Sequence, residues 1–151
     1  MLEISYYNYE LMQDREQLLE RIAELEGASF FDAWTYEMLA SSMEQAWNHL
    51  FVATMQGEIL GYLLANVVAG ETELLRIAVD EKQRNAGVGQ SLLDAYFTFA
   101  KKSSSRGLLE VRHGNAVAKH LYEKNGYRLL ATRKKYYKNP IEDADMYELL
   151  F

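Results

Sequence analysis

RNAGVG, residues 84–89, stands between the apolar run Leu74, Leu75, Ile77 and Val79 and the helix-like stretch QSLLDAYFTFAKK, residues 90–102. A glycine placed directly after a strand and at the start of a helix lacks the Cβ that would hold a ligand off the backbone. The unpaired amides of the helix's first turn could then donate to phosphate oxygens. A plain turn that uses glycine for backbone freedom fits the same residues. Two phosphate-binding motifs do not fit: a P-loop requires Lys-Ser or Lys-Thr after its second glycine, where GVGQS offers Gln90, and a dinucleotide fingerprint requires three glycines within parallel βαβ units.

Working outward, residues 2–7 read as a first strand. Leu11, Leu18, Leu19, Ile22 and Leu25 recur at helical spacing and predict a helix from about Glu10 to Glu26. After the loop GASFFDAW, Thr35 is placed to cap a second helix, because its oxygen can accept a first-turn amide proton. HLFVATM and EILGYLLANVV are β-rich runs about Gln56-Gly57, a hairpin signal, and ETELLRIAVD is a further strand. Val88, Leu92, Ala95, Tyr96 and Phe99 mark the core face of the helix after the glycine loop, and Lys101 and Lys102 suit the negative end of its dipole. GLLEVR is a short strand. Asn115 then caps AVAKHLYEKNG, which ends at Gly126, and YRLLATRKKYY and DADMYELLF supply two last strands around Pro140. The order β-α-α-β-β-β-α-β-α-β-β describes a mixed α/β (α+β) domain.

The chain has 151 residues, 49% of them hydrophobic, with no cysteine and a single proline. Repeats, linkers and low-complexity tracts are absent, so one domain over 1–151 is expected. No apolar run approaches the ~20 residues of a membrane span, and MLEISYYNYE lacks the basic start and apolar core of a signal peptide, so a cytoplasmic location is expected. The net charge of −6 conceals blocks of −5 (1–30), −6 (31–100), +9 (101–138) and −4 (139–151). Such blocks are commonly solvated faces; they could also attract phosphate groups and cationic partners over about a Debye length, ~8 Å. His49, His113 and His120 have no thiolate partners and no ligand-like spacing, so no metal is expected.

Arg84, Gly87 and Gly89 match the pattern Arg/Gln-x-x-Gly-x-Gly/Ala, and with it the chain resembles the GNAT superfamily of acetyl-CoA-dependent N-acetyltransferases. LLEVRHGNAVAKHLYEKNGYRLLATRKKYYKNPIEDADMYEL is similar to the bacterial enzymes that acetylate the N-terminal alanine of a ribosomal protein. The resemblance is dense over 71–151 and loose before, where DAWTYEML matches a Trp-Ser or Trp-Thr helix start. It implies the GNAT fold, a mixed and mostly antiparallel central sheet flanked by helices. The backbone of Ile77, Ala78 and Val79 would pair with the pantetheine arm of acetyl-CoA as an added strand does. Arg84, Asn85, Ala86, Gly87, Val88, Gly89 and Gln90 would hold its pyrophosphate, and Asn115 would hydrogen-bond it, an N-cap role explaining Asn115 equally well.

The same resemblance implies Glu110 as general base and Tyr122 as the acid that protonates the departing thiolate. An N-terminal ammonium, with pKa near 7.7–8.0, must lose a proton before it attacks the thioester, and a carboxylate near 4.3 needs a water relay or burial to accept it. Amides near the bulged part of RIAVD would stabilise the oxyanion. Trp34, Tyr136 and Tyr137 would line the peptide channel, with Glu142 and Asp143 near the substrate's backbone or positive charges. Read without the resemblance, these five are core aromatics and a solvated acidic turn. The implied substrate is a ribosomal protein's N-terminal peptide, and contact with DNA, RNA or membrane is not expected. Another amine (a lysine side chain, a small molecule or a broader set of N-termini) is the alternative acceptor, and a non-catalytic acetyl-CoA sensor is a further reading. The chain departs from the pattern at Gly114, where serine is usual, at Lys119, where an apolar residue is usual, and at Asp80-Glu81 in place of Asp-Pro.

Overall fold

The computed structural model describes residues 1–151. Seven strands form one sheet in the order β1-β2-β3-β4-β5-β7-β6, with β1 Leu2–Tyr7, β2 Asn48–Met55, β3 Glu58–Val68, β4 Glu71–Val79, β5 Arg106–Arg112, β6 Arg128–Lys138 and β7 Ile141–Leu150. The helices are α1 Glu16–Ser29, α2 Tyr36–Met43, α3 Val88–Ala100 and α4 Ala116–Lys124, and a single 3-10 turn covers Glu81–Gln83. The expected element order and sheet class are therefore observed. No helix is long and apolar enough to cross a membrane.

Alternation along the central strands sorts the core into two layers. Leu50 and Val52 of β2, with Tyr62 and Leu64 of β3, pack under α1 and α2 against Leu19, Ile22, Leu25 and Leu39. Phe51, Ala53, Leu63 and Ala65 face the other way, onto Leu92, Leu93 and Tyr96 of α3. Leu74 and Ala78 of β4, four residues apart, should share a face, yet Leu74 joins the α3 layer and Ala78 the α1 layer. A bulge explains this. Leu64 pairs with Arg76 and Ala65 with Leu74, leaving Leu75 as the extra residue that reverses the alternation.

Two sequence expectations shift. The first helix starts at Glu16 rather than near Glu10. Asn8 is the cause: its side-chain oxygen accepts from the amides of Glu10 and Leu11, both at 3.1 Å, and this turn competes with a helix. Asp14, at φ 61°, completes the interruption, Leu11 is left exposed and Met12 is buried instead. The helix also continues past Glu26 to Ser29. The other local readings hold: Thr35 accepts from Met38 N, Gln56 and Gly57 both take positive φ in the hairpin turn, and Gly126 ends α4 at φ 96°.

Candidate active site

β4 and β5 are the only parallel neighbours, and they pair only from Glu71–Leu74 to Arg106–Leu109. Beyond that, β4 stays with β3 as far as Val79 and β5 stays with β7 as far as Arg112, so the two strands part and open a wedge in the sheet. Backbone groups of Ile77, Ala78 and Val79 on the β5 side thereby lose their strand partner. A cavity of about 300 Å³ occupies the wedge, and Ile77, Glu110, Asn115, Tyr122, Tyr137 and Glu142 all line it.

The glycine loop follows β4, with Gly89 next to Val79 and Leu121. Asn85 and Gly87 take φ of 66° and 82°, turning the chain sharply before α3. The backbone N–H groups from Asn85 to Gln90 have no acceptor in the protein. Those from Val88 onward are the free donors of a helix's first turn, preceded by the left-handed Asn85 and Gly87. Arg84, Asn85, Ala86 and Gly87 are exposed, while Val88 is buried and anchors the helix in the core. Gln90 exchanges amide hydrogen bonds with Asn125 at 2.7 and 2.9 Å, tying α3 to the end of α4. Asn115 caps α4 through Ala118 N at 3.2 Å while facing the cavity. The capping reading of Asn115 is thus observed.

The proton-transfer candidates meet across the cavity although twelve positions separate them in sequence. Glu110, on β5, has its side chain 23% exposed, with Oε1 3.6 Å from Arg133 Nη1. Tyr122, on α4, is only 4% exposed and its hydroxyl makes no hydrogen bond within the protein. Burial, and secondarily Tyr137, pushes that phenol well above its ordinary value, so it stays protonated. Tyr137 is pushed up to about 12, by burial first and then by the carboxylates of Glu110 and Asp32.

The remaining acceptor-side candidates divide. Glu142 lines the cavity, accepting from Gly114 N at 2.6 Å and meeting Arg112 Nη1 at 3.3 Å. A Cβ at position 114 would come within 2.7 Å of that carboxylate, so glycine in place of serine is what gives Glu142 this seat. Asp143 is not on the cavity. It accepts from Lys135 N at 2.8 Å and Lys134 Nζ at 3.3 Å, holding the bulge by which three residues of β6, 134–136, pass one of β7. Tyr136, the last residue of that bulge, is 46% exposed, with Glu110 the first cause of its raised pKa. Trp34 packs into the α1 layer under the Arg76 guanidinium, 5.2 Å from its ring centre. Neither aromatic lines the cavity.

Several residues on the cavity carried no sequence signal that we read. Phe30, Phe31 and Asp32, on the α1–α2 loop, form one wall, with Arg76 behind them. Arg112 lies against Phe31 and Tyr137, its guanidinium 5.4 and 4.3 Å from the ring centres, and donates to the carbonyls of Asn139 and Pro140. A charged residue inside the apolar run LLRIAV was the available clue to Arg76. No group of three or more His, Cys, Asp or Glu is arranged to hold a metal.

A split parallel strand pair, a helix that begins on unpaired amides and a carboxylate and a tyrosine on one cavity are therefore found together in this fold. Residues 19–127 match the Acetyltransferase (GNAT) family, and the chain belongs to that family of acyltransferases. Among its relatives is the [ribosomal protein bS18]-alanine N-acetyltransferase of Escherichia coli K12, 32% identical over 105 residues, 69% of this chain and 70% of that one. The crystal structure of the ribosomal-protein-S18-alanine N-acetyltransferase from Escherichia coli superposes with a TM-score of 0.85 at 28% identity, covering 99% of this chain and 94% of the other. A GNAT family acetyltransferase from Elizabethkingia anophelis, solved with acetyl-CoA bound, shares the fold at 21% identity, with a TM-score of 0.75 over 99% and 98% of the two chains.

Proposed function

We propose that residues 1–151 act as one catalytic domain that moves the acetyl group of acetyl-CoA to the N-terminal α-amine of a ribosomal protein beginning with alanine. The observation that carries this reading is that Glu110 and Tyr122 line one cavity along β4 and β5, while the acceptorless amides of Asn85 to Gln90 follow the end of β4, with Gly89 next to Val79. Those amides fit a diphosphate, since they supply several fixed donors at a helix N-terminus where the dipole favours negative charge. Acetyl-CoA supplies an acyl group activated as a thioester. Ile77, Ala78 and Val79 offer ladder groups to its amide-bearing arm, and Arg84 adds a cation beside the loop.

Glu110 takes the proton that the acceptor ammonium must shed, directly or through one water, so that the nitrogen lone pair can attack the thioester carbon. Tyr122 gives its proton to the sulfur as the carbon–sulfur bond breaks. The nitrogen of the new carbon–nitrogen bond sheds its second proton, which restores the Tyr122 hydroxyl, and an amide and a free thiol remain. Burial keeps Tyr122 neutral, and Glu110 shares its cleft with Asp32 and Glu142, while the cleft's arginines are paired, Arg76 with Glu26 and Arg112 with Glu142. Trp34, Tyr136 and Asp143 support the acceptor wall from behind or beside it, while Tyr137 and Glu142 face the peptide. Relatives named for the bS18 alanine terminus favour this acceptor over other amines. Incubation of the purified chain with acetyl-CoA and an alanine-starting peptide should give a peptide acetylated on its α-nitrogen by mass spectrometry. Acetylation confined to lysine side chains or small amines would reject the proposed acceptor.

A further inference from the structure

Glu26 is fully buried, yet it lies at the end of a helix whose other buried residues are leucines and an isoleucine. Its Oε1 accepts from Arg76 Nε at 2.8 Å and from the Tyr62 hydroxyl, and its Oε2 accepts from Arg76 Nη2 at 2.7 Å and from Trp34 N at 3.0 Å. One carboxylate therefore joins α1, the α1–α2 loop, β3 and β4. The Arg76 guanidinium is held in a two-point fork, and its face lies 4.0 Å from the ring centre of Phe30. Arg76 follows the bulged Leu75 at the place where β4 parts from β5, and Phe30, Leu75 and Arg76 all line the cavity. An isolated buried carboxylate would be costly, and an unpaired guanidinium on this wall would repel an entering ammonium; the pair removes both penalties.

We infer that Glu26 and Arg76 are positioning residues for the acceptor: they lock the Phe30–Trp34 loop onto the bulged strand and neutralise the wall that an amine passes. The inference rests on reading this cavity as the acceptor cleft. Neither residue touches the acceptorless amides of the glycine loop, so the two substrates respond differently to their loss. Lysine at 76 keeps the charge but has neither the planar fork nor the stacking face.

The experiment measures steady-state constants for Glu26→Gln, Arg76→Lys and Phe30→Leu, with an alanine-starting peptide as acceptor, and acetyl-CoA affinity by calorimetry. In Arg76→Lys and Glu26→Gln the acceptor KM rises about tenfold, kcat changes less than about threefold and acetyl-CoA affinity stays within about twofold. Phe30→Leu, which spares the ion pair, shifts acceptor KM in the same direction by a smaller factor and keeps the test available if Glu26→Gln fails to fold. An unmoved acceptor KM in folded Arg76→Lys, or an equal loss of acceptor and cofactor affinity, overturns the inference. If the unaltered chain acetylates lysine side chains but no N-terminal peptide, the reading of the acceptor fails alone, and the same comparison made on the lysine amine decides the pair. If it acetylates no amine, both are overturned.

Discussion

At the scale of single residues, Glu110 and Tyr122 have separable tests. Glu110→Gln and Tyr122→Phe should each slow turnover at saturating acetyl-CoA by ~100-fold or more, while cofactor affinity measured by calorimetry hardly changes. Because burial raises the Tyr122 phenol, its acid form persists through the range in which an N-terminal amine titrates, near pH 8. The rate should therefore climb with pH through that range, with no fall attributable to Tyr122 until beyond about pH 10; an earlier fall that vanishes in Tyr122→Phe would contradict the assignment. Lys119, one of the departures from the family pattern, also has a structural account. Asp145 is 1% exposed, and Lys119 Nζ lies 2.7 Å from its Oδ2, with His113 at 3.0 Å and Thr132 donating at 2.9 Å. Burial alone would raise this carboxyl; hydrogen bonds from Lys119, Thr132 and His113 outweigh it and leave the pKa lowered. A lowered folded-state value stabilises the protein fully above the ordinary aspartate range, near pH 4, and the contribution disappears as pH falls through the lowered value. Lys119→Met should therefore lose stability at neutral pH, and its deficit against the unaltered chain should shrink in urea titrations carried into acid.

Among the elements, the glycine loop divides its two glycines by purpose. Gly87 takes φ 82°, and a methyl group added there would meet open space, so alanine incurs only a backbone cost. Gly87→Ala should lower stability by about 1 kcal/mol in denaturant titration and weaken acetyl-CoA binding through the altered amide row. Gly89 lies inside α3, where an added Cβ would meet Leu121 at an ordinary 3.5 Å, so Gly89→Ala should fold normally. Both glycines stood out in the sequence, as did the cap at Thr35, the hairpin at Gln56-Gly57 and the Asn115–Gly126 helix, because each depends on neighbours a few positions away. The start of α1 did not, since the Asn8 turn outcompetes an apolar spacing that Leu11 extends. The Glu26–Arg76 fork spans fifty positions, and the β4 bulge is visible only once β3 fixes the register. Gly114 stood out only as a departure from the usual serine; the room it makes for Glu142 depends on β7 lying beside it.

For the whole molecule, the sheet consists of two antiparallel halves, β1–β4 and β5–β7–β6, and the two meet along only four parallel residue pairs. The α3 helix packs on β1 to β4, and on the other half Tyr122, Tyr127 and Tyr147 complete the same apolar layer. Acetyl-CoA that binds only the folded chain should raise the melting temperature by an amount that grows with the logarithm of its concentration. An unchanged melting curve at millimolar acetyl-CoA would count against the wedge as its seat. The short seam also has a mechanical consequence. A guest strand lying along β4 would supply stitches that the chain itself omits, so amide exchange near residues 75–79 and 110–112 should slow together on its arrival, while the outer edges at β1 and β6 keep their pace.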